Sequence, residues 1–181
     1  MNLEILSFEE AMKYVPPENS CGIRILNSHW ESFNPDLPEH KNWIKINTYK
    51  FDDVWPKEWK EYSWVDINSE EFEKYYNIQK EAYPKMTKES LINLLESQGH
   101  FSERKMIFTE KDAIKILDDF DKVKESVQNI MIHCVYGRNR SPGIGIAMND
   151  IYGWGIKGLE EKFPNYRRYF YDTMIKAAKK K

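Results

Sequence analysis

The sequence predicts an α/β fold: a central, mostly parallel β-sheet with helices on both faces and a largely helical insertion. Two observations carry this expectation. Short apolar or alternating runs, the mark of strands, take turns along the chain with capped amphipathic stretches, the mark of helices. The run "NIMIHC" (129–134) is apolar almost throughout, as a strand buried on both faces requires, and a helix-forming stretch follows it closely.

The elements follow in order. "EEAMKY" near the start reads as a short amphipathic helix ended by Pro16 and Pro17. "CGIRILN" (21–27) alternates apolar and polar residues and reads as a strand. "NWIKINTYKFDD" (42–53) alternates likewise and runs into an acidic loop. From about 55 to 104 the chain becomes charged and aromatic. There "TKESLINLLESQG" has a Thr N-cap, a leucine stripe and a closing glycine, so it reads as a helix among shorter helices and loops.

"FTEKDAIKILDDFDKVKES" carries Thr109 as N-cap, Asp112 three residues on, and an apolar stripe of Ala113, Ile114, Ile116, Leu117 and Phe120. After the buried strand, "SPGIGIAMNDIYG" places Pro142 in a first helical turn and ends near Gly153. "NYRRYFYDTMIKAAKKK" closes the chain as a helix with a solvated lysine tail.

A length of 181 residues suits one domain with a proper core, read as 1–181 with an insertion at about 55–104. A net charge of -2 argues against broad attraction to nucleic acid or membrane, while leaving room for a local basic pocket. The N-terminus is acidic and amphipathic rather than basic then apolar, so it does not read as a signal peptide, and no apolar run is long enough to span a bilayer. The two cysteines, Cys21 and Cys134, form no disulfide framework and point to a reducing cytoplasm. No repeated Cys or His spacing indicates a metal site, and no cofactor motif is present: Gly143-x-Gly145 lies within a helix and no Gly-Lys-Ser/Thr follows.

The chemistry concentrates between the buried strand and its helix. Cys134 is followed by Val135, Tyr136, Gly137, Arg138 and Asn139, then by Arg140 and Ser141. A loop entering a helix N-terminus turns free backbone N–H groups toward an anion, and the helix dipole adds to the attraction. Gly137 permits the backbone geometry of a tight concave loop, and the planar fork of Arg140 suits two oxygens of a phosphate. A cysteine at the mouth of such a site is favoured as its thiolate, the form that attacks phosphorus.

"HCVYGRNRS" resembles the His-Cys-x5-Arg-Ser/Thr signature of cysteine-dependent protein tyrosine and dual-specificity phosphatases, small bacterial and viral members above all. The resemblance is strongest from about Phe108 to Tyr171, where it takes in "FTEKDA" and "FPNYRRYFY". It is weaker over the first two predicted strands and is not seen over 55–104. It implies a dual-specificity-phosphatase-like fold and hydrolysis of phosphomonoesters without a cofactor, on phosphorylated proteins or small phosphoesters. Cys134 would form a phosphocysteine intermediate, Arg140 would clamp the phosphate oxygens, and backbone amides from Val135 to Arg140 would complete the cradle. Ser141 would hydrogen-bond the sulfur and help it leave, and His133 would set thiolate stability and loop geometry.

The family also uses an aspartic acid to protonate the leaving oxygen and then activate water. Here the spacing departs from the family's, since the best local match, Asp53 in "KFDDV", lies 81 residues ahead of Cys134. Asp52 is the second candidate, and Asp66 in "WVD" the third; "WPK" (55–57) has the Trp-Pro without an acid. Asp118, Asp119 and Asp121 read as a helix C-terminal face, and His29, His40 and His100 as structural or exposed.

Other substrates use the same chemistry. Asn139 stands where RNA 5'-triphosphatases of this superfamily also place Asn, although those follow the Arg with Thr-Gly rather than Ser141-Pro142. An RNA 5' end, polyphosphate or phosphoinositide is therefore the alternative substrate, and a catalytically poor phosphate-binding module the alternative role. Arg138 reads either as a contact to a second phosphate or as a solvated charge. Cys21 reads as a buried thiol, with a protective disulfide to Cys134 as the alternative. The sequence leaves the oligomeric state open.

Overall fold

The computed structural model describes residues 1–27, 35–53, 70–97 and 107–181. Four parallel strands form one sheet in the order β1-β4-β2-β3, with β1 at Asn2–Leu6, β2 at Ser20–Leu26, β3 at Trp43–Lys50 and β4 at Asn129–His133. The fold is thus α/β with an all-parallel sheet, as the alternation of strands and helices requires. Central β2 and β4 are buried at every position, whereas edge strands β1 and β3 alternate or open to solvent.

The sequence reading places no strand at β1. "NLEIL" is short, and only its register against β4, from Asn2 opposite Asn129 to Leu6 opposite His133, makes it one. The third strand stops at Lys50, and Phe51, Asp52 and Asp53 follow it as the expected acidic loop at the carboxyl edge of the sheet.

Period-two alternation sends neighbouring side chains of the central strands to opposite faces. Cys21, Ile23, Ile25, Ile130 and Ile132 join one core with three helices: α4 (Glu110–Asp121), α5 (Arg140–Tyr152) and α7 (Arg168–Ala178). Met131 joins the other core, with Ala11 of α1 (Phe8–Ala11) and Leu37. Helix α4 starts as expected, with Thr109 and Asp112 in a reciprocal capping box. Helix α5 ends at Gly153, which takes the left-handed conformation that stops it. A short α6 (Leu159–Lys162) intervenes before α7.

The C-terminal lysines are not a free solvated tail. Lys176 and Lys180 pair with Glu110 at the start of α4, and Lys181 pairs with Asp118 and Asp121 near its end. Asp119 is held by Lys115, Lys122 and the Tyr49 hydroxyl. These acids on α4 bind neighbouring elements together.

By contact density the chain divides into two compact units, Met1–Asp53 with Phe108–Lys181, and Val54–Ile107. In the second, α2 (Glu70–Ala82) and α3 (Lys88–Ser97) pack Phe72, Tyr76, Leu91 and Leu95 into a small core of their own. Thr87 and Ser90 exchange side-chain-to-backbone hydrogen bonds of 2.9 and 3.0 Å at the head of α3, so a serine completes the expected cap. Its closing Gly99 lies outside the described residues. No helix among the described residues is long and apolar enough to cross a membrane.

Candidate active site

The carboxyl ends of β1, β4 and β3 lead into Ser7, Cys134 and Phe51, and the residues singled out in the sequence gather there. This is the edge at which open α/β sheets hold ligands. Cys134 leaves β4 and sits in the core with only 2% of its surface exposed. Ser141, fully buried on the first turn of α5, donates its hydroxyl to the Cys134 Sγ over 3.2 Å. The pairing follows from the local fold, since a loop of six residues returns the chain to the strand end it has just left.

Two backbone constraints shape that loop. Gly137 adopts φ +66°, and a Cβ there would stand 2.7 Å from the Ser7 nitrogen and 2.8 Å from the Leu6 carbonyl carbon. Any side chain would collide with backbone, so glycine is required twice over, for its φ and for the close approach. On the same side, the Phe8 N–H donates to the Val135 carbonyl over 3.1 Å. The turn between β1 and α1 thus braces the loop from outside.

At the helix entrance Asn139 is the N-cap residue of α5, yet its side chain makes no capping bond. It donates instead to Asp53 Oδ2 over 2.7 Å. The α5 N-terminus therefore keeps its positive end free of a side-chain cap, as an anion site requires. Arg140, 2% exposed, donates through Nη1 to the Phe51 carbonyl over 2.7 Å, while its buried Nε–H has no partner in the protein. A buried guanidinium N–H without an acceptor is costly, and an anion in the loop would supply one.

His133 is fully buried at the end of β4, and neither ring nitrogen has a hydrogen-bond partner. Burial, with the Arg24 and Arg140 charges, pushes its pKa down to about 4; an approach to the Cys134 backbone opposes this without forming a full hydrogen bond. The imidazole is therefore neutral at pH 7, and it packs 6.0 Å from the Phe8 ring. Arg24 faces His133 in the register of β2 against β4, is itself buried, and donates to Asp36 over 2.7 Å and to the Pro35 carbonyl over 2.9 Å.

Of the candidate acids, Asp53 is tied directly to the loop. Beyond its bond from Asn139, its Oδ1 lies 3.1 Å from Nε of Arg167, the N-cap residue of α7. Asp52 is buried beside it. Asp66 lies outside the described residues, as do His29 and His100. Arg167, Arg24 and the Asn139 side chain were not assigned roles from sequence; "NYRRYF" was visible only as helix-forming and family-like.

Tyr136 and Arg138 point outward, Tyr136 with 72% of its surface exposed. With Val135 they border a cavity of about 480 Å³ whose far side is Ser7, Phe8, Glu9 and Glu10. The cavity beside the loop is thus lined by two aromatic rings, two carboxylates and Arg138.

Cys21 is buried and free. It pairs with Ile130 in the strand register, four positions before Cys134. At ~3.3 Å per residue the two cysteines are separated by ~13 Å along the strand direction, well beyond the reach of a disulfide. The protective disulfide is therefore excluded in this fold. Burial pushes the Cys21 thiol up to about 12, which leaves it unreactive.

No family model matches the chain, and comparison with curated proteins and with solved structures finds no significant match.

Proposed function

We propose that the chain is a cysteine-dependent phosphatase that hydrolyses phosphomonoesters through a phosphocysteine intermediate. The observation that carries this reading is the thiol of Cys134 hydrogen-bonded by Ser141, within a loop where the buried Arg140 keeps an Nε–H unpaired. The resemblance of "HCVYGRNRS" to the phosphatase signature points the same way.

In the proposed reaction a phosphomonoester seats its oxygens on the loop amides from Val135 to Arg140 and on the Arg140 guanidinium. The Cys134 thiolate attacks phosphorus in line with the ester oxygen, forming an S–P bond as the P–O bond breaks. Asp53 gives its proton to the departing oxygen, then takes one from the water that attacks the phosphocysteine. As the S–P bond breaks, the Ser141 hydroxyl stabilises the sulfur that leaves as thiolate. Neutral His133 fills the floor of the loop without adding positive charge or claiming the Ser141 hydroxyl. A thiolate nucleophile fits a reducing compartment such as the cytoplasm.

For the substrate, a phosphorylated protein side chain fits better than an RNA 5' end, a polyphosphate or a phosphoinositide. The cavity that Arg138 borders is also lined by Glu9 and Glu10, where a polyanion would meet like charge. A tyrosine or serine phosphate in a peptide brings only one such group.

The test is turnover of p-nitrophenyl phosphate by wild type, Cys134→Ser and Asp53→Asn, under reducing conditions with a chelator. Turnover by wild type that Cys134→Ser abolishes supports the reading; an inactive wild type that still binds phosphate would leave a binding module. A panel of phosphotyrosine and phosphoserine peptides, phosphoinositide and triphosphate-ended RNA then ranks the substrates, with peptides expected first.

A further inference from the structure

The Asp53 carboxyl is held from two sides by elements far from it in sequence. Asn139, in the candidate phosphate loop, donates to Oδ2 over 2.7 Å. Arg167, at the head of α7, stands 3.1 Å from Oδ1, close enough for an ion pair but without a well-aligned hydrogen bond, since Oδ1 is buried and accepts none. Asp53 ends the short loop of residues 51–53 that follows β3. The same segment is fixed two residues earlier, where Arg140 donates to the Phe51 carbonyl. The head of α7 is itself pressed against α5, because a Cβ on Gly143 would stand 3.1 Å from the Arg167 carbonyl oxygen and 2.9 Å from the Phe170 Cβ.

The two carboxyl oxygens are therefore not equivalent. An amide N–H can only donate, so Oδ2 is committed as an acceptor. Oδ1 is buried and faces the Arg167 charge, which holds that side of the carboxyl in place. We propose that Arg167 and Asn139 are positioning residues for Asp53, Asn139 fixing Oδ2 against the candidate phosphate loop and Arg167 anchoring Oδ1 from the head of α7, so that the carboxyl is presented in one orientation. The inference rests on Asp53 being the general acid of the proposed phosphatase. It adds a requirement that the nucleophile and cradle do not have: the correct seating of α7 on α5.

A positioning role shows itself through the leaving group. Phenolate leaves poorly unless protonated, whereas p-nitrophenolate leaves readily without help, so losing an oriented acid penalises phenyl phosphate more. The experiment compares both substrates for wild type, Asp53→Asn, Asn139→Ala, Arg167→Gln, Arg167→Lys and the double variant Asp53→Asn/Arg167→Gln, with urea midpoints confirming that each is folded. Arg167→Gln is expected to lower kcat/KM, which reports the first step alone, about tenfold or more on phenyl phosphate and about twofold or less on p-nitrophenyl phosphate. Arg167→Lys should recover part of the loss, Asn139→Ala should shift the substrate ratio the same way, and Arg167→Gln should add nothing in the Asp53→Asn background.

An equal loss of kcat/KM on both substrates, no loss, or a full additional loss in the Asp53→Asn background would overturn the inference and leave the phosphatase reading standing. Full activity of Asp53→Asn on phenyl phosphate would remove Asp53 as the acid, and the inference with it, while an inactive Cys134→Ser would still support the phosphatase. A wild type inactive on both substrates would end both.

Discussion

The Ser141 hydroxyl donates to the sulfur of Cys134 over 3.2 Å, from the first turn of the helix that follows the loop. A hydroxyl in that position stabilises negative charge on sulfur, and in the proposed reaction that charge appears when the phosphocysteine breaks down. Ser141→Ala should therefore slow the second step more than the first. The expected result is a burst of p-nitrophenol followed by turnover about 10- to 100-fold slower than wild type, with the phosphorylated chain visible by mass spectrometry. Equal slowing of burst and steady state would argue for a purely structural serine.

Gly137 is the position at which the loop is least tolerant. Gly137→Ala sets a side chain at φ +66° and drives its Cβ into the backbone of Leu6 and Ser7. The strain is worth about 1–3 kcal/mol, to be read from urea midpoints. In the proposed phosphatase that strain falls on the loop that binds phosphate, so inhibition by orthovanadate should weaken as well. A destabilised variant with unchanged vanadate affinity would show that the loop shape does not depend on this contact.

His133 should make the fold sensitive to mild acid. Its pKa in the folded protein is pushed down to about 4, from the ordinary imidazole value of 6.5. Between those values the unfolded chain binds a proton that the native chain does not, so stability is full above pH 6.5 and falls as the pH drops toward 4. The depth of the fall is of the order of 3 kcal/mol. His133→Gln removes the titration, and the difference between the urea-derived stability curves of variant and wild type should flatten above pH 6.5. A constant difference from pH 4 to 7 would contradict this account.

The geometry also speaks to oxidation. Cys21 lies too far along the strand to capture an oxidised Cys134, so peroxide should inactivate wild type and Cys21→Ala at the same rate. Mass analysis after peroxide treatment should find sulfenic or higher acids on Cys134 and no intramolecular disulfide. Slower irreversible loss in wild type would show that the strands part far enough for the two sulfurs to meet.

What the sequence made legible was whatever lies close along the chain. Cys134, Gly137, Arg140 and Ser141 sit within one strand-loop-helix unit, whose spacing fixes their relation, and the helices around Ala113 and Ala147 announced themselves through caps and apolar stripes. Contacts between remote segments were hidden. Nothing in "KFDDV" reveals that Asn139, 86 residues away, reaches back to it, and nothing in "NYRRYF" reveals that Arg167 does so from a third segment. The strand at Asn2–Leu6 was equally silent, since five residues carry too little periodicity to stand out. The lysine tail misled for a related reason: a charge run reads as solvated until its acidic partners on α4 are placed opposite.

The brace that Leu6, Ser7 and Phe8 apply to the loop has a consequence for how the molecule comes together. Asn2 hydrogen-bonds Asn129, 127 residues later, and the strand they open runs directly under Gly137 and Val135. Such distant pairing is entropically slow to form, because the intervening chain must be closed before the contact returns any stability. The cradle around Cys134 consequently takes shape only after the two extremes of this long contact have met. Recovery of the proposed phosphate binding during refolding should then lag behind helix formation and report the moment the first strand docks.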